Sequence, residues 1–234
     1  MSLNVLKSSL ETALEAARSI KDAERIGIYI KNLYPYLGLW SPQRKSLQKS
    51  FIEETKNLNQ RQIFELVDWL WGKEYREYQY IATDMLIENL EKLEIENVDY
   101  LLNVVHIKPY WDSVDYMTLV INKIIKKSLS LDPDAQKIMD NSIIHSNLWV
   151  RRVAITHQLG WKQLTDTKRL FGYITSQAHD KDFFIRKAIG WALRDFAKFN
   201  HEEVYKFVDE NKSILSGLSY REATKHRLKY SNKT

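Results

Sequence analysis

A short stretch near the middle of the chain places an aromatic ring and a carboxylate at a spacing that suits chemistry on a cation. The stretch reads Tyr110-Trp111-Asp112-Ser113-Val114-Asp115. On a helix, Trp111 and Asp115 would lie on one face, one turn apart. A Trp π face attracts a cation by roughly 0.5–2 kcal/mol, and a carboxylate in a partly shielded site does so by on the order of 4 kcal/mol. The alternative is a core Trp111 beside a solvated or capping Asp115.

Composition argues against several other kinds of site. Cys is absent, which excludes disulfides, thiol catalysis and Cys-ligated metals. The His residues show no metal-ligand spacing and no glycine-rich phosphate loop occurs, so we expect no metal and no nucleotide cofactor. No apolar run reaches the length of a membrane span, and the N-terminus does not read as a signal peptide. We therefore expect a cytoplasmic protein that does not bind membranes.

The formal charge is unevenly distributed along the chain. Residues 147–234 carry 17 Lys and Arg against 9 Asp and Glu, whereas the remainder has a small acidic excess. A basic C-terminal third indicates a polyanionic partner, with nucleic acid the first candidate. A solvated basic surface without a partner is the alternative.

Low contents of Gly and Pro favour an all-α fold, and every segment has helical apolar spacing. The predicted helices span residues 3–19, 22–34, 59–71, 75–90, 95–106, 111–127, 133–141, 148–159, 166–178, 183–199, 201–211 and 219–230. Asn200 with Glu203 and Ser219 with Glu222 have capping-box spacing. Connections are short and composition does not break, so we expect one domain, 1–234.

One further helix is predicted to start at Ser41-Pro42, with a hydroxyl N-cap and Pro in the first turn. Arg44 falls in that first turn, where a cation opposes the helix dipole unless an anion binds. Arg44 is therefore a candidate phosphate contact. A capped helix with an exposed Arg44 is the alternative.

The helices come in pairs that repeat. Tyr75, Trp111, Trp149 and Phe184 each open a helix, at intervals of 36, 38 and 35 residues. This is the length of a two-helix solenoid unit. The pattern predicts HEAT-like repeats stacked into a curved α-solenoid with a concave face.

Aligned repeats predict a shared surface. Counted from the opening aromatics, Asp115, Arg152 and Trp191 fall at +4, +3 and +7, which share a helix face. Trp111 and Arg194 border that face. Aromatic rings and Arg on a concave wall suit the backbone and sugars of a nucleic acid, and a lone carboxylate among them indicates catalysis. The alternative is an Asp115–Arg152 pair that only locks neighbouring repeats.

Several strings of the sequence resemble the AlkD-type DNA glycosylases, HEAT-like proteins that remove alkylated purines from DNA. The strings are Tyr29-Ile30-Lys31-Asn32, Arg76-Glu77-Tyr78-Gln79, Trp111-Asp112-Ser113-Val114-Asp115, Asn147-Leu148-Trp149 and Phe183-Phe184-Ile185-Arg186-Lys187-Ala188-Ile189-Gly190-Trp191-Ala192-Leu193-Arg194. They occur in the family's order over nearly the whole chain. Tyr110 departs from the family, which often has a second Trp there.

The resemblance implies roles for individual residues. Asp115 corresponds to the family's catalytic aspartate, and Trp111 and Trp191 to its active-site tryptophans. Tyr29 would line the same cleft, and Arg152 would bind the DNA backbone near the lesion.

Further cations would assist in binding DNA. They are Arg194, Arg151, Arg186 and Lys187.

The predicted function is hydrolysis of the N-glycosidic bond of cationic N3- or N7-alkylated purines in duplex DNA. Asp115 would stabilise the oxocarbenium-like sugar and position water, and the protein would act as a monomer. Two alternatives are a HEAT-like protein that binds DNA structure without catalysis and a scaffold that docks an acidic protein.

Overall fold

The computed structural model describes residues 2–231, and these residues form α-helices, short 3-10 turns and loops without a β-strand. The predicted all-α class is therefore confirmed. The chain divides into two compact units, Met1–Ile124 and Ile125–Thr234, with the boundary inside a helix. The single-domain organisation and the curved stacking of repeats remain predictions.

Seven helices and most of an eighth make up the described part of the N-terminal unit. They are α1 (Leu3–Ala16), α2 (Ile20–Tyr29), α3 (Ser41–Leu47), α4 (Lys49–Thr55), α5 (Gln60–Gly72), α6 (Arg76–Glu88), α7 (Val98–Val105) and α8 (Trp111–Ser128). The apolar stripe predicted for α1 forms its inner face, with Leu6, Leu10 and Leu14 buried. Burial of such leucines contributes roughly 1.5–3 kcal/mol each.

The C-terminal unit contains the end of α8 and shorter helices. They are α9 (Lys137–Ser142), α10 (Leu148–Thr156), α11 (Thr167–Gln177), α12 (Phe183–Phe196), α13 (His201–Glu210), α14 (Gly217–Thr224) and α15 (Arg227–Ser231). The helices predicted at 111–127, 148–159 and 183–199 begin at the expected residues. None of the described helices is long and apolar enough to cross a membrane.

Some predicted helix ends were wrong. The helix predicted over 22–34 ends at Tyr29, because Lys31 and Asn32 adopt left-handed backbone conformations. The helix predicted from Pro133 starts at Lys137.

The capping predictions had mixed outcomes. Asn200 caps α13 as predicted, accepting a hydrogen bond from the Glu203 N–H at 3.3 Å. Ser219 is not a cap, since the Ser216 hydroxyl occupies that position and accepts from the Ser219 N–H at 3.0 Å. Ser41 is not the cap of α3 either, because Trp40 holds the N-cap position without a side-chain hydrogen bond.

Close contact between α12 and α14 depends on the absence of a side chain at Gly190. A Cβ atom built there would lie 2.4 Å from the Glu222 Cβ and 2.9 Å from the Ser219 carbonyl oxygen. Real Cβ atoms do not approach so closely, so any larger residue would push the two helices apart. Gly190 therefore fixes the distance between the helix carrying Trp191 and the helix carrying Glu222.

A buried histidine lies in the core of the C-terminal unit. His157 is 1% exposed, with Nδ1 2.7 Å from the Ala154 carbonyl oxygen and Nε2 3.0 Å from the Gln136 side-chain oxygen. Its ring lies against those of Trp161 and Tyr173. Burial lowers the pKa of His157 to about 4, because the imidazolium would lose its hydration.

We predict that Gly190→Ala destabilises the protein by about 1–3 kcal/mol, since the added methyl group overpacks the α12–α14 contact. Gly172→Ala is the control, because Gly172 lies within α11 and an added Cβ there meets nothing within 4 Å. That control should gain about 0.5–1 kcal/mol from helix propensity. Urea denaturation measures both values, and equal effects would contradict the close-contact role of Gly190.

We also predict that His157 contributes to the loss of folding stability at acidic pH. The unfolded chain takes up a proton on His157 near pH 6.5, whereas the folded chain does so only near pH 4. Above pH 6.5 the buried, neutral His157 does not lower the free energy of unfolding. As the pH falls from 6.5 to about 4, that free energy decreases by about 3 kcal/mol, because only the unfolded chain takes up the proton. His157→Gln should flatten the fall in unfolding free energy across this range, whereas the exposed-site control His179→Gln should not. Identical pH profiles for the wild type and His157→Gln would contradict the prediction.

Candidate functional site

The first turn of α8 carries the two residues whose spacing indicated chemistry. The helix begins at Trp111, so Trp111 and Asp115 lie one turn apart as predicted. Both side chains are half-buried. An aromatic face and a carboxylate are therefore presented together from one rigid element.

A buried ion pair holds this turn in place. The Arg76 guanidinium, at the start of α6, donates from Nε to Asp112 Oδ2 at 2.8 Å and from Nη2 to Asp112 Oδ1 at 2.7 Å. It also donates to the Lys108 carbonyl and to the Ser113 hydroxyl, each at 2.7 Å. Arg76 is fully buried, so these bonds compensate for the lost hydration of its charge. Asp112 is thereby fixed in place. Because Asp112 lies between Trp111 and Asp115 in the sequence, the turn that carries these two residues is fixed with it.

Two tyrosines extend the network from Asp112. Tyr80 donates its hydroxyl to Asp112 Oδ2 at 2.5 Å, and the Tyr36 hydroxyl lies 2.8 Å from that of Tyr80. Burial raises the pKa of both tyrosines well above the usual value, so both hydroxyls stay protonated. The chain of hydrogen bonds joins the loop after α2 to α6 and α8.

A second buried carboxylate shapes that loop. Glu77 accepts hydrogen bonds from the backbone N–H groups of Leu37, Gly38 and Leu39, each at 3.0 Å. Burial raises the pKa of Glu77, although these three bonds oppose the change. Gly38 has φ +94°, and a Cβ there would lie 2.0 Å from the Ser19 carbonyl oxygen. Only glycine fits this close approach.

Tyr29 contacts Trp111 of the candidate site. Its ring meets that of Trp111 edge to face, with centroids 5.3 Å apart and planes at 72°. Tyr29 is 73% exposed, so most of its ring is open to a ligand. The exposed Tyr29 ring and the half-buried Trp111 ring together form one aromatic surface, and Asp115 lies one helical turn after Trp111.

In the C-terminal unit, Arg152 and Trp191 come together. The Arg152 guanidinium lies over the Trp191 ring, 5.8 Å from its centroid, and Nη1 donates to the Phe184 carbonyl at 2.7 Å. Arg152 is buried and Trp191 is half-buried. The predicted closeness of these two residues is therefore present within this unit.

Two further predicted cations share one carboxylate. Glu222 on α14 contacts Lys187 Nζ at 2.9 Å and also binds the Arg194 guanidinium. The hydrogen bond from Lys187 is the largest cause of the lowered pKa of Glu222. Lys187 and Arg194 are thus held side by side along α12, with partial neutralisation of their charge.

The other predicted DNA-binding arginines differ in their surroundings. Arg151 donates to the His145 and Ser146 carbonyls and to Asp180 Oδ2, at 2.8–2.9 Å. Arg186 is half-buried and donates from Nε to the Asp182 carbonyl at 3.3 Å. Arg151 is therefore the more firmly tied of the two to its own chain.

Arg44 does not lie where a phosphate could reach it. Its side chain is 2% exposed, and Nη1 donates to Asp84 Oδ2 at 2.6 Å and to Gln48 Oε1 at 2.8 Å. The prediction of a phosphate contact at Arg44 was wrong, because the cation is buried and the half-buried Asp84 already pairs with it. Arg44 instead joins α3 to α6.

Sequence reasoning missed the role of Arg76, Asp112 and Glu222. A signal for the first two was present, since their separation of 36 residues equals one repeat interval. Two further Arg–Asp pairs, Arg44–Asp84 and Arg151–Asp180, are separated by 40 and 29 residues. For Glu222, nothing in the sequence indicates its two partners on α12.

Comparison with known proteins identifies the family. The sequence profile described as DNA alkylation repair enzyme matches residues 10–226, so the chain belongs to this family. A structure entitled "Predicted DNA alkylation repair enzyme from Enterococcus faecalis" is 30% identical, with a TM-score of 0.81 over 89% of this chain and 95% of that one. No curated protein matches the chain.

More distant structures share the fold. AlkD2 from Streptococcus mutans is 20% identical, with a TM-score of 0.60 over 76% of this chain and 87% of that one. The protein smu.31 from Streptococcus mutans UA159 is also 20% identical, with a TM-score of 0.58 over 78% of this chain and 94% of that one.

We predict that Asp112→Asn destabilises the protein by about 3–5 kcal/mol, because the buried Arg76 charge loses its anion. Asp134→Asn is the matched control, since Asp134 pairs with Lys137 at an exposed site. The control should change stability little. Urea denaturation of both variants measures the difference, and an Asp112→Asn variant as stable as the control would show that the ion pair does not hold α8.

Proposed function

We propose that this protein is a DNA glycosylase that hydrolyses the N-glycosidic bond of N3- or N7-alkylated purines in duplex DNA. Membership of the DNA alkylation repair enzyme family supports a repair reaction on DNA. The single observation that carries the glycosylase assignment is the first turn of α8, where Trp111 and Asp115 are presented together and half-buried. Such a pair suits a transition state with positive charge on the sugar.

The substrate itself explains why so few catalytic groups are needed. A purine alkylated at N3 or N7 is cationic, so the electrons of the C1′–N bond leave with the base and neutralise it. The sugar then carries the positive charge as an oxocarbenium ion until water adds to C1′ and loses a proton. The Asp115 carboxylate would stabilise that charge and position the water. The products are a free alkylated base and an abasic site, which is the starting point of base excision repair.

The aromatic rings would act on the same charge. Trp111 would turn its π face to the deoxyribose, with Tyr29 packed against its edge at 5.3 Å. Trp191 is proposed as the second active-site tryptophan. Arg152 is buried against Trp191, so its proposed contact with the phosphate beside the lesion would require its guanidinium to turn outward.

The remaining DNA contacts are proposed on charge and exposure. Lys187 and Arg194 lie next to each other through Glu222, and a phosphate could take the place of that carboxylate. Arg186 could turn towards DNA at the cost of one backbone hydrogen bond. Arg151 would support the backbone contact of its neighbour Arg152.

No cofactor is needed for this hydrolysis, and a monomer would suffice. The alternative is a HEAT-like protein that binds DNA structure without catalysis. It would need the basic residues of the C-terminal unit, but it would not need the Asp115 carboxylate for bond cleavage.

We predict that Asp115→Asn lowers the single-turnover rate of base release from methylated duplex DNA by about 100-fold or more. Duplex affinity should be retained or should rise, because a negative charge is lost. Base release is measured by chromatography and affinity by fluorescence anisotropy. Asp134→Asn, the same change at an exposed ion pair, should excise at the wild-type rate.

Full excision by Asp115→Asn would remove the carboxylate from the mechanism. Binding of methylated duplex without any base release by the wild type would favour the non-catalytic alternative.

A further inference from the structure

The turn that follows α2, residues 28–33, exposes apolar side chains that the described residues leave uncovered. Ile28 is 69% exposed, Tyr29 73% and Leu33 52%. Gly27 is the one buried residue of α2. Burying these side chains against a ligand would be favourable, at roughly 25 cal/mol per Å² of apolar surface.

This 28–33 turn is held in one conformation. The Asn32 N–H donates to the Gly27 carbonyl at 2.8 Å, and Lys31 and Asn32 have φ of 57° and 54°. Ile30 is fully buried and anchors the middle of the turn. The exposed side chains are therefore displayed from a pre-ordered backbone, which lowers the entropy cost of binding.

The 28–33 turn lies beside the candidate site. Tyr29 contacts Trp111 directly. Just after the turn, the Tyr34 hydroxyl donates to the Pro109 carbonyl at 3.3 Å, and the Arg76 guanidinium lies 4.4 Å from the Tyr34 ring centroid. A ligand that reaches Trp111 and Asp115 would meet these exposed side chains as well.

The charge around the 28–33 turn suits a polyanion. From residue 25 to residue 52 the sequence contains no Asp or Glu, whereas it contains five cations. Arg44 is buried against Asp84 and Arg25 pairs with Asp22 on α2, whereas Lys31 is exposed within the turn itself. An exposed lysine between exposed apolar side chains matches duplex DNA, whose deoxyribose rings lie between phosphates.

We propose that the 28–33 turn is a DNA-contact element, in which Ile28 and Leu33 pack against deoxyribose rings beside the lesion and Lys31 pairs with a phosphate. The inference rests on the proposed function in that its ligand is the same duplex DNA. It adds a contact that positions the strand against Trp111, using side chains with no part in bond cleavage.

The apolar contact is tested with Ile28→Ser/Leu33→Ser. Both side chains are exposed, so the fold should be retained. The matched control is Ile144→Ser/Leu131→Ser, which makes the same two changes at exposed positions of the C-terminal unit. Affinity for a fluorescein-labelled, undamaged duplex should fall about 10-fold in the first variant and stay at the wild-type level in the control. The slope of log affinity against log salt should not change, since no charge is lost.

The Lys31 contact is tested by the slope of log affinity against log salt. Lys31→Gln should reduce its magnitude by about 0.9, which corresponds to one phosphate contact. Lys206→Gln, at an exposed position of α13, is the control and should leave the slope unchanged. An unchanged slope for Lys31→Gln, or wild-type affinity for Ile28→Ser/Leu33→Ser, would overturn the inference.

Other outcomes separate this inference from the proposed function. Binding is measured on undamaged DNA, so an absence of base release by the wild type would refute the glycosylase and leave this comparison intact. An absence of duplex binding by the wild type would overturn the inference itself. Sedimentation analysis is the last check, because a wild-type dimer that dissociates in Ile28→Ser/Leu33→Ser, with unchanged DNA affinity, would assign the 28–33 turn to self-association.

Discussion

The buried ion pair between Arg76 and Asp112 is the interaction on which the candidate site depends. A fully buried guanidinium is tolerated only when its donors are used, and Arg76 uses them on Asp112, Lys108 and Ser113. All three acceptors belong to the start of α8 or to the turn just before it. The requirement to satisfy one buried charge therefore fixes where α8 begins. Trp111 and Asp115, on either side of Asp112, take their positions from it.

The basic side chains of the C-terminal unit are held differently from Arg76. Lys187 and Arg194 share the Glu222 carboxylate and keep part of their side chains exposed, whereas Arg152 is buried against the Trp191 ring. The shared carboxylate orients Lys187 and Arg194 without burying their whole charge. A phosphate oxygen can replace a carboxylate oxygen at the same distance. Under the proposed function, Lys187 and Arg194 would therefore be ordered before DNA binds, which would lower the entropy cost of binding.

Much of the architecture could be predicted because it is encoded locally. The leucine stripe of α1 and the Asn200 cap depend on residues a few positions apart, and both are present. A prediction failed where two nearby residues could serve as the same helix cap. Ser216 caps α14, whereas Ser219 was predicted to do so. The site was harder to predict, because burial depends on distant residues. The local sequence around Arg44 predicts an anion site, whereas in the fold Asp84, 40 residues later, binds its guanidinium.

The proposed function makes one claim about chemistry, that the alkylated base is removed whole. The most direct measurement is mass-spectrometric analysis of the products formed by the wild-type protein from duplex DNA methylated at N3 of adenine and N7 of guanine. A glycosylase would yield free methylated purine in solution and an equal amount of abasic sites in the DNA. Methylated bases that stay in the strand despite bound protein, or bases that lose their methyl group while still attached to the sugar, would contradict it.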